Sequence, residues 1–217
     1  MVPVTPAART RHEPADRRRQ LLDAALAEVD ESGLDALTPA TVGARSGASK
    51  ALVFHYFGST VKLRRTVALE AITHLDHALQ TPDDMPLAER PEHAMAAFLG
   101  SVTAHRRVWE DVWRGTLASD DVTEAALERV RSDLVARMTA TAGVIGFAPS
   151  PRLQLLARGW VALVENATAA WLGGSDLTRA ELERLLLSSL VVLVPELPEP
   201  ARSAVLDISR PGVAERG

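Results

Sequence analysis

The sequence predicts an all-α protein. It reads as an N-terminal three-helix domain holding a helix-turn-helix, followed by a larger helical bundle, with about nine or ten helices in all. Three observations predict this. Apolar residues recur at the i, i+3, i+4, i+7 spacing of a helical face along most of the chain. No segment alternates apolar and polar residues as a half-buried strand does. Proline, glycine and aspartate punctuate the periodic stretches where helices start and stop. At 217 residues the chain has enough surface to bury for a core of its own.

The elements follow in order. Residues 1–16 carry Pro3, Pro6 and Pro14 with few large apolar groups, which predicts a flexible arm. Arg17 to Ser32 places Leu22, Ala25, Leu26 and Val29 on one face, and Gly33 ends it. Thr38-Pro39 is an N-cap with proline at the first helical position, opening a short helix to about Arg45. Ser46-Gly47-Ala48 is a turn, and Ser49 caps a second short helix to about Phe57. Gly58-Ser59 breaks and recaps the chain before a long helix from Thr60 to about Leu79. Further helices are expected near 88–104, 105–117, 121–143, 151–173 and 178–195. Residues 198–217, with Pro198, Pro200 and Pro211, read as a mobile tail. The domains are thus expected at 17–65 and 66–197.

Thr38 to Phe57 is the informative stretch. Two short helices joined by a glycine-containing turn make a helix-turn-helix. Val42 points inward, and Gly43 lets the second helix approach at a cost of about 1 kcal/mol in helix propensity. Val53 and Phe57 face the first helix, so Ser49, Lys50, Ala51 and Phe54 stand on the opposite face. The second helix of such a unit can enter the major groove.

The run TPATVGARSGASKALVFHYF, residues 38–57, resembles the helix-turn-helix of tetracycline-repressor-like (TetR) regulators, and residues 19–37 resemble that family's first helix and its exit. Residues 157–187 are similar to a C-terminal pattern of some members. The resemblance implies a homodimer that binds palindromic DNA operators and carries a small-molecule pocket in its C-terminal bundle. It implies that Thr38 is a phosphate-contacting cap and that Ser49, Lys50 and Ala51 open the recognition helix. It implies backbone contacts from His55 and Tyr56, and a cap of the fourth helix at Ser59, whose amides can hold phosphate. Phe54 stands where tyrosine is usual, keeping a thymine-methyl or sugar contact but no hydroxyl. Thr60 stands where a phosphate-binding lysine is usual, with Lys62 or Arg64 as partial compensation.

The formal net charge of -4 argues against nucleic acid only as an average. Residues 1–65 hold ten basic and seven acidic residues, net +3, and residues 66–217 hold fourteen and twenty-one, net -7. A positive reading head makes DNA binding salt-dependent through counterion release. Lys50 and Lys62 are the sole lysines, so arginine supplies the rest of the positive charge.

All four tryptophans fall in the second half. Phe98, His105, Trp109 and Trp113 share a helical face, and Met138 and Trp160 join them as candidates for an aromatic-lined ligand site. The bland alternative for each is core packing. Leu153, Ala157, Trp160, Val164, Ala167 and Trp171 step by three and four, and Leu182, Leu186 and Ser189 give a second seam. Two such helices from each protomer make a four-helix dimer interface. Glu165 and Asn166 interrupt the first seam as an interface pair, a buried hydrogen bond or, for Glu165, a ligand contact.

Zero cysteines exclude disulfides, cysteine-ligated zinc and thiol catalysis. His74 and His77 lack a convergent third ligand, so neither a metal nor a cofactor is expected. No nucleophilic triad or phosphate loop stands out, and the chain reads as no enzyme. No membrane span or secretory signal is expected, which points to the cytoplasm. The primary reading is a DNA-binding regulator, most simply a repressor released by an apolar or aromatic effector. The alternative is a small-molecule-binding protein of the same fold with weak or lost DNA binding, for which Thr60 and Phe54 speak.

Overall fold

The computed structural model describes residues 14–82, 84–144, 150–196, 199, 202–203 and 206–207. The expected arm at 1–13 and most of the expected tail at 198–217 lie outside the described residues. Among the described residues the structure is helical, with nine α-helices, two 3-10 segments and no strand. The α-helices are α1 (Pro14–Ser32), α2 (Pro39–Ser46), α3 (Lys50–Phe57), α4 (Thr60–Ala78), α5 (Arg90–Ala104), α6 (Arg106–Arg114), α7 (Asp121–Val144), α8 (Pro151–Leu172) and α9 (Arg179–Ser188). The 3-10 segments are Leu34–Ala36 and Ser189–Glu196. Two units divide between Val67 and Ala68, inside α4 and two residues beyond the expected boundary.

The first unit is built on α1, which begins at Pro14 rather than at Arg17 and therefore takes in three residues expected in the arm. Leu21, Leu22, Ala25, Leu26 and Val29 form its buried face. They meet Leu34, Leu37, Val42, Val53, Phe57, Leu63 and Val67, all buried. Each large apolar side chain removed from water contributes about 1.5–3 kcal/mol. α1 packs on α2, and α2 on α3.

In the second unit α8 packs against α6, α7 and the C-terminal 3-10 segment, while α9 packs against α5. α6 stops at Arg114, three residues before the expected end, where Gly115 leaves helical geometry at ψ -151. The helix expected over 178–195 splits at Ser188. The Ser188 and Ser189 hydroxyls donate to the Leu185 and Leu186 carbonyls at 2.8 and 2.6 Å, which competes with continued α-helical bonding. No helix among the described residues is long and apolar enough to cross a membrane.

Candidate functional site

α2 is started by a reciprocal cap. The Thr38 hydroxyl accepts from Thr41 N at 3.2 Å, and Thr41 Oγ1 accepts from Thr38 N at 3.0 Å. The turn follows from two glycines. Gly47 has φ 63, where a side chain is strained. Gly43 needs its bare Cα for another reason: a Cβ there would lie 2.7 Å from the Ala48 carbonyl oxygen. The Gly43 carbonyl in turn accepts from Ala48 N at 2.9 Å. Ser49 then caps α3, accepting from Leu52 N at 3.1 Å.

Val53 and Phe57 anchor α3 in the core. The opposite face presents Ser49, Lys50, Ala51, Phe54 and His55 to solvent. Phe54 is 51% exposed, too open for a core side chain. Tyr56 is half-buried, its ring edge-on to His55 at 5.6 Å. Ser59 accepts from Lys62 N at 3.1 Å at the start of α4, and Lys62 is exposed. The expected DNA-facing residues therefore fall on α3 and its flanking caps. Such a surface can offer a cation, an apolar edge and a helix start to DNA.

Ion pairs hold this head in place. Arg45 on α2 pairs with Glu28 at 2.9 Å and Glu31 at 2.5 Å on α1. The hydrogen bond from Arg45 holds the Glu31 carboxyl below its ordinary range. Arg64 donates to the Asp35 and Leu37 carbonyls and pairs with the Asp35 carboxylate. It is thus committed to the segment before α2, and compensation for Thr60 falls to Lys62. Arg18 stacks over the Phe57 ring at 5.6 Å. These links join residues far apart in sequence and carry no periodic signal. Val61, 61% exposed beside Lys62, was equally unannounced.

In the second unit the expected ligand residues separate into two groups. Trp109 and Trp113 have ring centroids 4.9 Å apart, and Phe98 lies 6.3 Å from Trp113. Trp109 and Phe98 are buried, and Trp113 is half-buried. His105, at the joint of α5 and α6, meets the His74 ring at 6.0 Å instead. Met138 and Trp160 pack on a different cluster, formed by Val135, Ala157 and Val161. Trp160 Nε1 also donates to Ser189 Oγ at 2.9 Å.

The expected dimer seam needs correction. Ala157, Val164, Leu182 and Leu186, with Leu153, are buried within their own protomer. Ala167, Trp171 and Ser189 are half-buried. Ser189 receives the Trp160 bond, and Trp171 Nε1 donates to the Leu177 carbonyl at 2.7 Å. A three-four repeat reveals an apolar face but not its neighbour, and α8 has two such faces. The uncovered one holds Leu155 at 72% exposure with Gly159, Ala162, Leu163, Asn166 and Ala170. Leu185, Val191 and Val192 are exposed further along.

Glu165 resolves as a buried ion pair. Its carboxylate accepts from Arg131 Nε at 2.9 Å, and Arg131 also reaches Glu124 at 2.6 Å. Burial pushes the Glu165 carboxyl above its ordinary range, against the lowering pull of Arg131. Among the described residues no group of three or more acidic, histidine or cysteine side chains could hold a metal.

Two family models match the chain. Residues 21–67 match "Bacterial regulatory proteins, tetR family", and residues 87–193 match "Tetracyclin repressor-like, C-terminal domain". The HTH-type transcriptional regulator BetI of Serratia proteamaculans is 26% identical over 164 residues, 69% of this chain and 78% of the relative. BetI of Burkholderia ambifaria is 28% identical over 173 residues, 77% of this chain and 89% of the relative. A solved tetR-family transcriptional regulator from Streptomyces coelicolor superposes with a TM-score of 0.77 at 25% identity, covering 91% of this chain and 90% of that one.

Proposed function

Because the chain belongs to the TetR family of transcriptional regulators, we propose that this DNA-binding, ligand-responsive regulator is a repressor that holds a palindromic operator as a homodimer and is released by an effector. The observation that carries the DNA reading is the outward face of α3. Lys50, Ala51 and Phe54 are exposed on a helix fixed by a serine cap and the closed Gly43 turn. Lys50 supplies a cation for a phosphate or a guanine edge, and Ala51 and Phe54 supply apolar contact for thymine methyls. The Ser49 and Ser59 caps aim backbone amides at phosphate.

The dimer follows from the uncovered stripe. Leu155, Leu163 and Leu185 are exposed apolar side chains, and Gly159 and Ala162 beside them allow close helix approach. A second copy presenting the same stripe across a two-fold axis covers them. Two recognition helices about one DNA turn, ~34 Å, apart then meet the two half-sites. An effector that favours a different spacing shifts the population off the operator.

The test is selection of DNA from a random pool by the full chain, followed by fluorescence anisotropy on the enriched sequence. We expect an inverted repeat, an affinity that falls as salt rises, and a loss of about tenfold or more for the Lys50→Ala, Tyr56→Ala double variant. Enrichment of no sequence, or an unchanged affinity for the double variant, overturns the assignment of α3 as the reading helix. Leu163→Glu, measured by sedimentation, is expected to shift the chain toward monomer.

A further inference from the structure

The four tryptophans are treated in two ways by the fold. Trp160 and Trp171 donate their indole N–H to Ser189 Oγ and the Leu177 carbonyl, at 2.9 and 2.7 Å. The indole nitrogens of Trp109 and Trp113 are buried with no hydrogen-bond partner. Their rings are 4.9 Å apart, with Phe98 6.3 Å from Trp113. Buried indole N–H groups normally find an acceptor, because leaving one unmade forfeits the bonds that water would have made. Two such omissions on neighbouring turns of α6 make one donor-lined aromatic spot.

Two further buried groups lack partners, Arg137 Nη2 on α7 and Thr168 Oγ1 on α8. α8 packs against both α6 and α7, so all four belong to one packed set of helices. Their chemistry is lopsided. Indole and guanidinium nitrogens can only donate, and the threonine hydroxyl can also donate. Arg137 adds positive charge. The buried carboxylate nearby in sequence on α8, Glu165, is already engaged by Arg131.

We infer that the effector is an anion with a flat apolar body, an aromatic carboxylate being the simplest member, whose oxygens accept from Trp109 and Trp113 Nε1–H. Phe98 and the two indole rings supply the apolar contact, and Arg137 sets the preference for negative charge. This rests on the ligand-responsive reading above and deepens it by naming the effector's chemistry. A neutral hydrocarbon leaves the donors unanswered, and an ammonium sets donor against donor.

The test uses the full chain labelled with 15N at its indole nitrogens, whose four N–H resonances are assigned by single Trp→Phe substitutions. It is titrated with 1-naphthoate, 1-naphthylmethanol and 1-naphthylmethylammonium. We expect naphthoate to move the Trp109 and Trp113 resonances downfield in a saturable way and to leave those of Trp160 and Trp171 in place. It should bind about tenfold or more tighter than the alcohol, and Trp113→Phe and Arg137→Gln should each remove about tenfold of that affinity. Should Trp113→Phe fail to fold, Arg137→Gln carries the comparison. Equal or tighter binding of the alcohol or the ammonium overturns the inference. So does the absence of any shift at Trp109 and Trp113 with naphthoate at millimolar concentration. Operator affinity is followed in parallel. Release by the ammonium or alcohol alone overturns the effector class and leaves the regulator reading standing. Saturable naphthoate binding without effect on DNA supports the site and counts against ligand control of the operator.

Discussion

Gly43→Ala is the sharpest test of how α2 and α3 are held together. In a helix interior, replacing glycine with alanine ordinarily stabilises by about 1 kcal/mol. At Gly43 the added methyl would sit 2.7 Å from the Ala48 carbonyl oxygen, 3.4 Å from Lys50 N and 3.5 Å from Ser49 C. All three are backbone atoms of the turn, so no side chain can swing away to make room. The turn itself must move, and overpacking of this kind costs about 1–3 kcal/mol. Gly100→Ala is the control. It adds the same methyl inside α5, where the nearest atom is the Arg179 guanidinium at 3.7 Å, an ordinary contact. The propensity gain is common to both, so the difference between the two variants isolates the clash at about 1–3 kcal/mol. Urea unfolding followed by circular dichroism measures it. Gly100→Ala should unfold at higher urea than the parent, and Gly43→Ala at lower urea than Gly100→Ala. The displaced recognition helix should also lose about tenfold or more in operator affinity. A Gly43→Ala variant as stabilised as Gly100→Ala, with DNA binding intact, would refute the account of the turn.

Two further expectations follow from single side chains. Thr38→Ala removes one half of the reciprocal cap with Thr41 and should cost about 1 kcal/mol in urea unfolding, with Thr38→Ser restoring most of it; an unaltered midpoint would show the cap to be idle. Glu165 carries a pH dependence. Its carboxyl titrates above the ordinary 4.5 because burial disfavours the charged form. The folded chain therefore holds this proton where the unfolded chain has released it. The stabilising contribution is full below 4.5 and is lost as pH rises through the raised value. Glu165→Gln should flatten that stretch of a stability-against-pH series, and an unchanged slope would contradict the burial argument.

Much of the fold was legible in the sequence because helical signals are local. The Thr38-Pro39 cap, Gly47, the Ser49 cap and Gly58 place α2 and α3 to within a residue. The face Leu22, Ala25, Leu26 and Val29 is buried as its spacing requires. The misreadings share a cause. The start of α1 was set three residues late because Pro14 is welcome in a first helical turn and was taken for a breaker. The helix expected to Pro195 ends at Ser188, where serine hydroxyls turn back on carbonyls that periodicity does not weigh.

Capping, turn geometry and periodicity are properties of a few consecutive residues, so the sequence by itself determined the helices, the helix-turn-helix and the exposed face of α3. Tertiary structure decided what covers each apolar face. Only packing assigns Ala157, Val164, Leu182 and Leu186 to their own protomer and leaves Leu155, Leu163 and Leu185 open. Only packing turns Arg64 to the Asp35 and Leu37 carbonyls rather than to solvent. And only packing satisfies two indoles and leaves Trp109 and Trp113 without acceptors. These outcomes depend on residues tens of positions apart meeting in space, and no local pattern records which of them meet.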